Sequence, residues 1–132
     1  MIRLDGKRVL VVDDNADAAD SLGMLVELLG AEVRTVYDSP AAQELFEEFH
    51  PDLVLLDIGM PVMDGYEVAR RIRDSVKVAD ETRLVAVTGL AKDEFRRNAL
   101  AAGFDDYLLK PVAMVDLERI VWKLGVNQPN AV

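Results

Sequence analysis

The chain has 132 residues, 51% of them apolar and 30% charged, with a formal net charge of −9 and no cysteine. That is the size and balance of one globular domain with a substantial core, and it excludes disulfides, thiol catalysis and a zinc–thiolate centre. The acidic balance argues against direct DNA binding, which needs a cationic footprint.

Strand-like and helix-like segments alternate along the chain. Val9-Leu10-Val11-Val12 reads as a buried strand and runs into Asp13-Asp14. From Ala16 to Leu29, the residues Ala18, Leu22, Leu25 and Leu29 fall on one helical face, and Gly30 stops the helix. Glu32 to Tyr37 is a more polar strand, suited to a sheet edge. Ser39-Pro40 reads as a cap and first-turn proline for a helix to about Phe49. The lone histidine, His50, precedes a proline in a helix-to-strand loop, where a solvated residue is a simpler reading than a metal ligand. Leu53-Val54-Leu55-Leu56 then leads to Asp57.

Asp64-Gly65-Tyr66-Glu67 has the form of a capping box, opening a helix to about Arg73. A polar stretch from Asp74 to Thr82 connects to Leu84-Val85-Ala86-Val87, which ends on Thr88. Lys92 to Ala102 is helical and stops at Gly103. Tyr107-Leu108-Leu109 runs into Lys110-Pro111, a candidate cis peptide that would turn the chain sharply. Ala113 to Leu124 places Leu117, Ile120, Val121 and Leu124 on one face and ends at Gly125. Residues 1–126 are therefore expected to form one domain, with 127–132 as a short polar tail. No apolar run approaches the ~20 residues that cross a bilayer, and no basic leader with an apolar stretch opens the chain, so a cytoplasmic protein is expected.

Strict alternation of five strands with five helices predicts an α/β fold with helices on both faces of a parallel sheet. The continuously apolar runs at Val9, Leu53 and Leu84 suit strands buried on both sides. A flavodoxin-like 2-1-3-4-5 order fits, with its topological switch between the first and third strands.

In that order, Asp13, Asp14, Asp57, Thr88 and Lys110 converge at one edge of the sheet. Each has an ordinary alternative alone: an acid can cap a helix, a threonine can bond in a loop, and a lysine can be solvated. Together they suit phosphoryl transfer. Close carboxylates raise a pKa or recruit a cation, for which an oxygen-ligated Mg2+ is apt. A hydroxyl and an ammonium offset charge on phosphoryl oxygens, and aspartate is a competent phosphoryl acceptor.

These residues, with Met60-Pro61-Val62-Met63-Asp64-Gly65, closely resemble the receiver domain of two-component response regulators, of the chemotaxis and hybrid-kinase types. The resemblance runs from about Lys7 to Leu124. It implies a phosphoacceptor at Asp57 that is not an enzyme toward other substrates and catalyses only its own phosphorylation and dephosphorylation. It implies Mg2+ or Mn2+ bound directly by Asp14 and Asp57, through the Gly59 carbonyl, and through water by Asp13. Lys110 would contact the phosphoryl group, Thr88 would swing toward it, and Tyr107 would rotate inward as the switch aromatic. The implied partners are a histidine kinase or histidine phosphotransfer protein and an unknown downstream protein, with no membrane. Gly59 and Leu90, at the positions that tune hydrolysis in this family, offer no group to orient water, so slow self-dephosphorylation is expected. Gly89 is expected to leave room for a bulky donor.

The resemblance also implies an output face on the fourth helix, last strand and last helix. Trp122, in a stripe with Val115 and Glu118, is expected to pack; exposed, it would be the best aromatic anchor for a partner. A free-standing receiver and one excised from a hybrid kinase are both open readings. An aspartyl-phosphate phosphatase of the haloacid dehalogenase type would need Asp-x-Asp after the first strand, which is absent. A flavodoxin-like protein would need a hydroxyl- and glycine-rich phosphate loop there. An interaction-only domain with a degenerate site is disfavoured, because every expected polar residue is present.

Overall fold

A computed structural model of the chain describes residues 2–60, 64–75, 81–89 and 93–127, the side chains of 93–96 apart. The strands are β1 (Arg8–Val12), β2 (Glu32–Val36), β3 (Leu53–Asp57), β4 (Arg83–Thr88) and β5 (Asp106–Leu109). They form one parallel sheet in the order β2-β1-β3-β4-β5, as the alternation predicts. The helices between and after them are α1 (Ala16–Leu28), α2 (Ser39–Phe49), α3 (Gly65–Asp74), α4 (Asp93–Ala102) and α5 (Met114–Leu124). No described helix is long and apolar enough to cross a membrane.

Side chains of the central strands divide by parity. Leu10, Val12, Val54, Leu56, Leu84 and Ala86 pack with α2, α3 and α4, while Val9, Val11, Leu53, Leu55, Val85 and Val87 pack with α1 and α5. Burial on both faces explains why these runs carry no polar residue. Each such Val or Leu contributes roughly 1.5–3 kcal/mol, so the sheet is the rigid base from which the loops at its carboxyl edge project.

Three local readings need correction. The buried face of α1 is Ala19, Leu22, Gly23 and Val26, not the line through Ala18 and Leu25, which sit half-buried on its flank. The cap of α2 is Asp38 rather than Ser39: its carboxylate accepts the Ala41 amide at 2.7 Å, and Ser39 starts the helix, buried. At α3 only half of the capping box forms. Asp64 accepts the Glu67 amide at 3.0 Å, but the Glu67 carboxylate is taken by Arg70 and Arg71.

Trp122 is a fourth correction. It is 66% exposed, because it lies on the side of α5 opposite the core residues Leu117, Ile120 and Val121. Pro61, Val62, Met63, Leu90, Lys92, the centre of the Asp74–Thr82 connection and residues 128–132 lie outside the described residues.

Gly30, Gly103 and Gly125 stop their helices as expected, with φ of 97°, 103° and 70°. His50 does the same for α2 with φ 51°, a conformation in which a side chain is strained. His50→Gly is therefore expected to stabilise the fold by about 0.5–1 kcal/mol, the relief of left-handed strain less the added freedom of the unfolded chain. Urea unfolding at neutral pH would show this as a higher midpoint with unchanged slope.

Candidate functional site

Parallel registers set the heights of the site residues. Val12 pairs with Leu56 across β1 and β3, so Asp13 and Asp57 leave adjacent strands at the same level. Asp57 pairs with Val87 of β4, placing Thr88 one residue higher, and Thr88 pairs with Leu109 of β5, just before Lys110. The Lys110 amide donates to the Thr88 carbonyl at 2.8 Å. The Lys110–Pro111 peptide is cis.

Asn15 takes over the capping of α1, its side-chain oxygen accepting the Ala18 amide at 3.1 Å. That leaves Asp14 exposed and Asp13 turned into the site, where its Oδ1 accepts the Asn15 amide at 2.9 Å. One oxygen from each of Asp13, Asp14 and Asp57 lies within 4.8 Å of the others. These are hard oxygen donors. Opposite ligands of Mg2+ stand about 4 Å apart, so the trio fits that ion with a water completing the longest reach. The Gly59 amide donates to Asp57 Oδ1 at 3.1 Å and so fixes that carboxylate.

The Lys110 ammonium stands 2.9 Å from Asp13 and 3.5 Å from Asp57. Its preference for Asp13 was not legible in the chain's order, which gives spacing but not the turn of a side chain. Asp57 has a raised pKa, first because burial disfavours its charge and then because Asp13 repels it; the Gly59 amide and Lys110 only partly offset this. Burial works against the Lys110 charge too, yet the hydrogen bond to Asp13 and the attraction of both acids outweigh it and raise its pKa. The pair is thus unequal, and the carboxylate bears the cost.

Thr88 is buried at the end of β4. Tyr107 is half-buried on the edge strand β5 and packs against the core cluster of α2, α3 and α4. A groove of about 610 Å³ opens between α4, β5 and α5, with Leu100, Tyr107, Asp116 and Lys123 among its walls.

A family model described as the response regulator receiver domain matches residues 9–121. The chain belongs to that family. Among curated relatives, an uncharacterised 14.6 kDa protein of Leptolyngbya boryana is 40% identical over 113 residues, covering 86% of each chain. The transcriptional regulatory protein PrrA of Mycobacterium tuberculosis is 37% identical over 110 residues, and the match spans 83% of this chain but only 46% of PrrA. Among solved structures, the receiver domain of a Pseudomonas aeruginosa sensor histidine kinase, with a magnesium ion coordinated in its active-site cleft, is 33% identical. It superposes with a TM-score of 0.80 over 89% of this chain and 96% of that one. The chemotaxis protein CheY4 of Vibrio cholerae superposes with a TM-score of 0.84 at 25% identity, over 89% and 97% of the two chains.

In a receiver domain with this site, the ionised Asp57 is a liability to the metal-free fold. With its folded pKa above the ~3.9 of an unfolded aspartate, the destabilisation is absent below that pH and complete once pH exceeds the raised folded value. Asp57→Asn should therefore stabilise the metal-free domain at pH 7, and the advantage should shrink as pH falls toward 4. Paired denaturant titrations in chelator at the two pH values provide the check.

Proposed function

We propose that this receiver domain, residues 1–126, accepts a phosphoryl group on Asp57 from the phosphohistidine of a histidine kinase or histidine phosphotransfer protein. The observation that carries this reading is the meeting of Asp13, Asp14, Asp57 and Lys110 at the switch point of the sheet. An Asp57 carboxylate oxygen attacks phosphorus as the phosphorus–nitrogen bond to the donor imidazole breaks, and the departing nitrogen takes a proton. Mg2+ or Mn2+, when held by Asp14, Asp57, the Gly59 carbonyl and, through water, Asp13, supplies charge compensation for the phosphoryl oxygens.

The chain's own residues do the rest. Lys110 is already within ion-pair distance of Asp57 and supplies positive charge to a phosphoryl oxygen. Thr88 supplies a hydroxyl from the adjacent strand, and its displacement gives Tyr107 a reason to move, which couples the site to the α4–β5–α5 groove. The output is a change in the affinity of a protein partner in the cytoplasm, with no direct DNA contact by this domain. A Cβ built on Gly89 would meet nothing within 4 Å, open space that suits a bulky phosphohistidine donor. Gly59 brings no side chain to orient a water, and Leu90 brings no polar one, so release of the phosphoryl group is slow.

Incubation with Mg2+ and acetyl phosphate is expected to give one phosphoryl group per chain by mass spectrometry, none in Asp57→Asn, and a half-life of minutes or longer after donor removal. Sustained donor hydrolysis would instead indicate a phosphatase, and release within seconds would contradict the roles given to Gly59 and Leu90.

Trp122 and Val115 form an exposed apolar pair on α5. Trp122→Ala is expected to weaken a partner or dimer contact without lowering phosphorylation, as read by cross-linking beside the same mass measurement. Equal loss of both would count against a surface role.

A further inference from the structure

Gly65 opens α3 although glycine is the poorest helix former after proline. Its φ lies outside the left-handed region, so conformational freedom does not explain it. Space does. A Cβ built on Gly65 would stand 2.5 Å from Ile58 Cα, 2.6 Å from the Asp57 carbonyl oxygen and 3.0 Å from Ile58 Cγ2. The first turn of α3 is pressed directly onto the backbone that leaves the phosphoacceptor, and the Gly65 amide donates to the Ile58 carbonyl at 3.2 Å.

We infer that Gly65 is a positioning residue for the phosphoacceptor site, setting the Asp57–Ile58–Gly59 backbone, and with it the Gly59 carbonyl, by close approach of α3. Neither larger body at this contact can yield. β3 is a central strand bonded to β1 and β4, and Asp57 itself is in register with Val87. On the other side α3 is held by Val68, Ala69 and Ile72, all fully buried. The pliable piece is Ile58–Gly59, the first residues beyond the strand. Those residues supply the amide that holds Asp57 Oδ1 and the carbonyl assigned to the ion. A methyl group at position 65 therefore moves the metal and phosphoryl ligands before it moves the fold.

This rests on the phosphoacceptor reading above, and the test separates the two. Mg2+ binding by calorimetry, the amide resonances of Ile58 and Gly59, and phosphorylation by acetyl phosphate are compared in the natural chain, Gly65→Ala and Arg70→Gly. The last puts a helix-weakening glycine at an exposed position of α3, away from the residues that hold the helix, without adding an atom near the site. Gly65→Ala should show displaced Ile58 and Gly59 resonances, Mg2+ affinity lower by about tenfold and slower phosphorylation, in keeping with the up to ~100-fold that a misplacement of about 1 Å costs. Arg70→Gly should lower stability and leave Mg2+ affinity unchanged.

Equal Mg2+ affinity in Gly65→Ala and the natural chain would overturn the inference, as would equal losses in both variants. A Gly65→Ala chain that stays unfolded in the cold with sucrose would also overturn it, because the contact would then serve the fold as a whole. Failure of the natural chain to bind Mg2+ or take up phosphate would overturn the phosphoacceptor reading instead.

Discussion

Two carboxylates, Asp13 and Asp57, are held side by side and nearly out of water, only 5% and 7% exposed, at the edge of an apolar sheet. Like charges in such a place repel and are poorly solvated, so the site demands a cation. Lys110 meets part of that demand from just beyond β5, and the exposed Asp14 widens the cup so that a hard divalent ion fits it. A transferred phosphoryl group would add further negative charge, which explains why positive groups must be in place before it arrives.

The rest of the fold serves this arrangement by being rigid where the site is demanding. Registers among β1, β3, β4 and β5 fix the heights of Asp13, Asp57, Thr88 and Lys110 to within two residue steps. Two apolar layers prevent the strands from slipping, since a one-residue slip would turn every buried side chain to the wrong layer. Farther from the site, Arg73 ties α3 to the start of β5. It donates to the Thr82 and Gly103 carbonyls, each at 2.9 Å, and to Asp105 at 2.8 Å, and Asp105 also accepts the Leu84 amide. The groove between α4, β5 and α5 has half-buried and exposed walls, Tyr107 and Leu100 among them, together with the buried Ala99, Phe104, Leu108 and Ile120.

Much of this was legible in the chain because the information is local. Apolar runs of three or four residues ending on Asp, Asp, Thr and Lys mark strands whose carboxyl ends carry the polar groups, and glycines at 30, 103 and 125 mark helix ends. Strand order followed from the polarity of the Val33 strand against the apolar Val9, Leu53 and Leu84 runs. What escaped depends on side-chain direction or on contacts far apart in sequence. Asp38 rather than Ser39 caps α2 because the cap is decided by which oxygen reaches the Ala41 amide. Trp122 faces outward because the α5 stripe is anchored by Leu117, Ile120 and Val121, which leaves no angular room for it inside. The Arg73–Asp105 pair and the pressure of α3 on Ile58 join residues 32 and 7 positions apart, and no spacing rule announces either.

Anomalous diffraction from crystals of the domain soaked in Mn2+ bears most directly on the claim that these acids form one cation cup. A single strong peak between Asp14, Asp57 and the Gly59 carbonyl, within about 2–2.6 Å of their oxygens, is the predicted result. A cup without manganese, with Lys110 still bridging Asp13 and Asp57 and the metal bound elsewhere or not at all, would contradict the account.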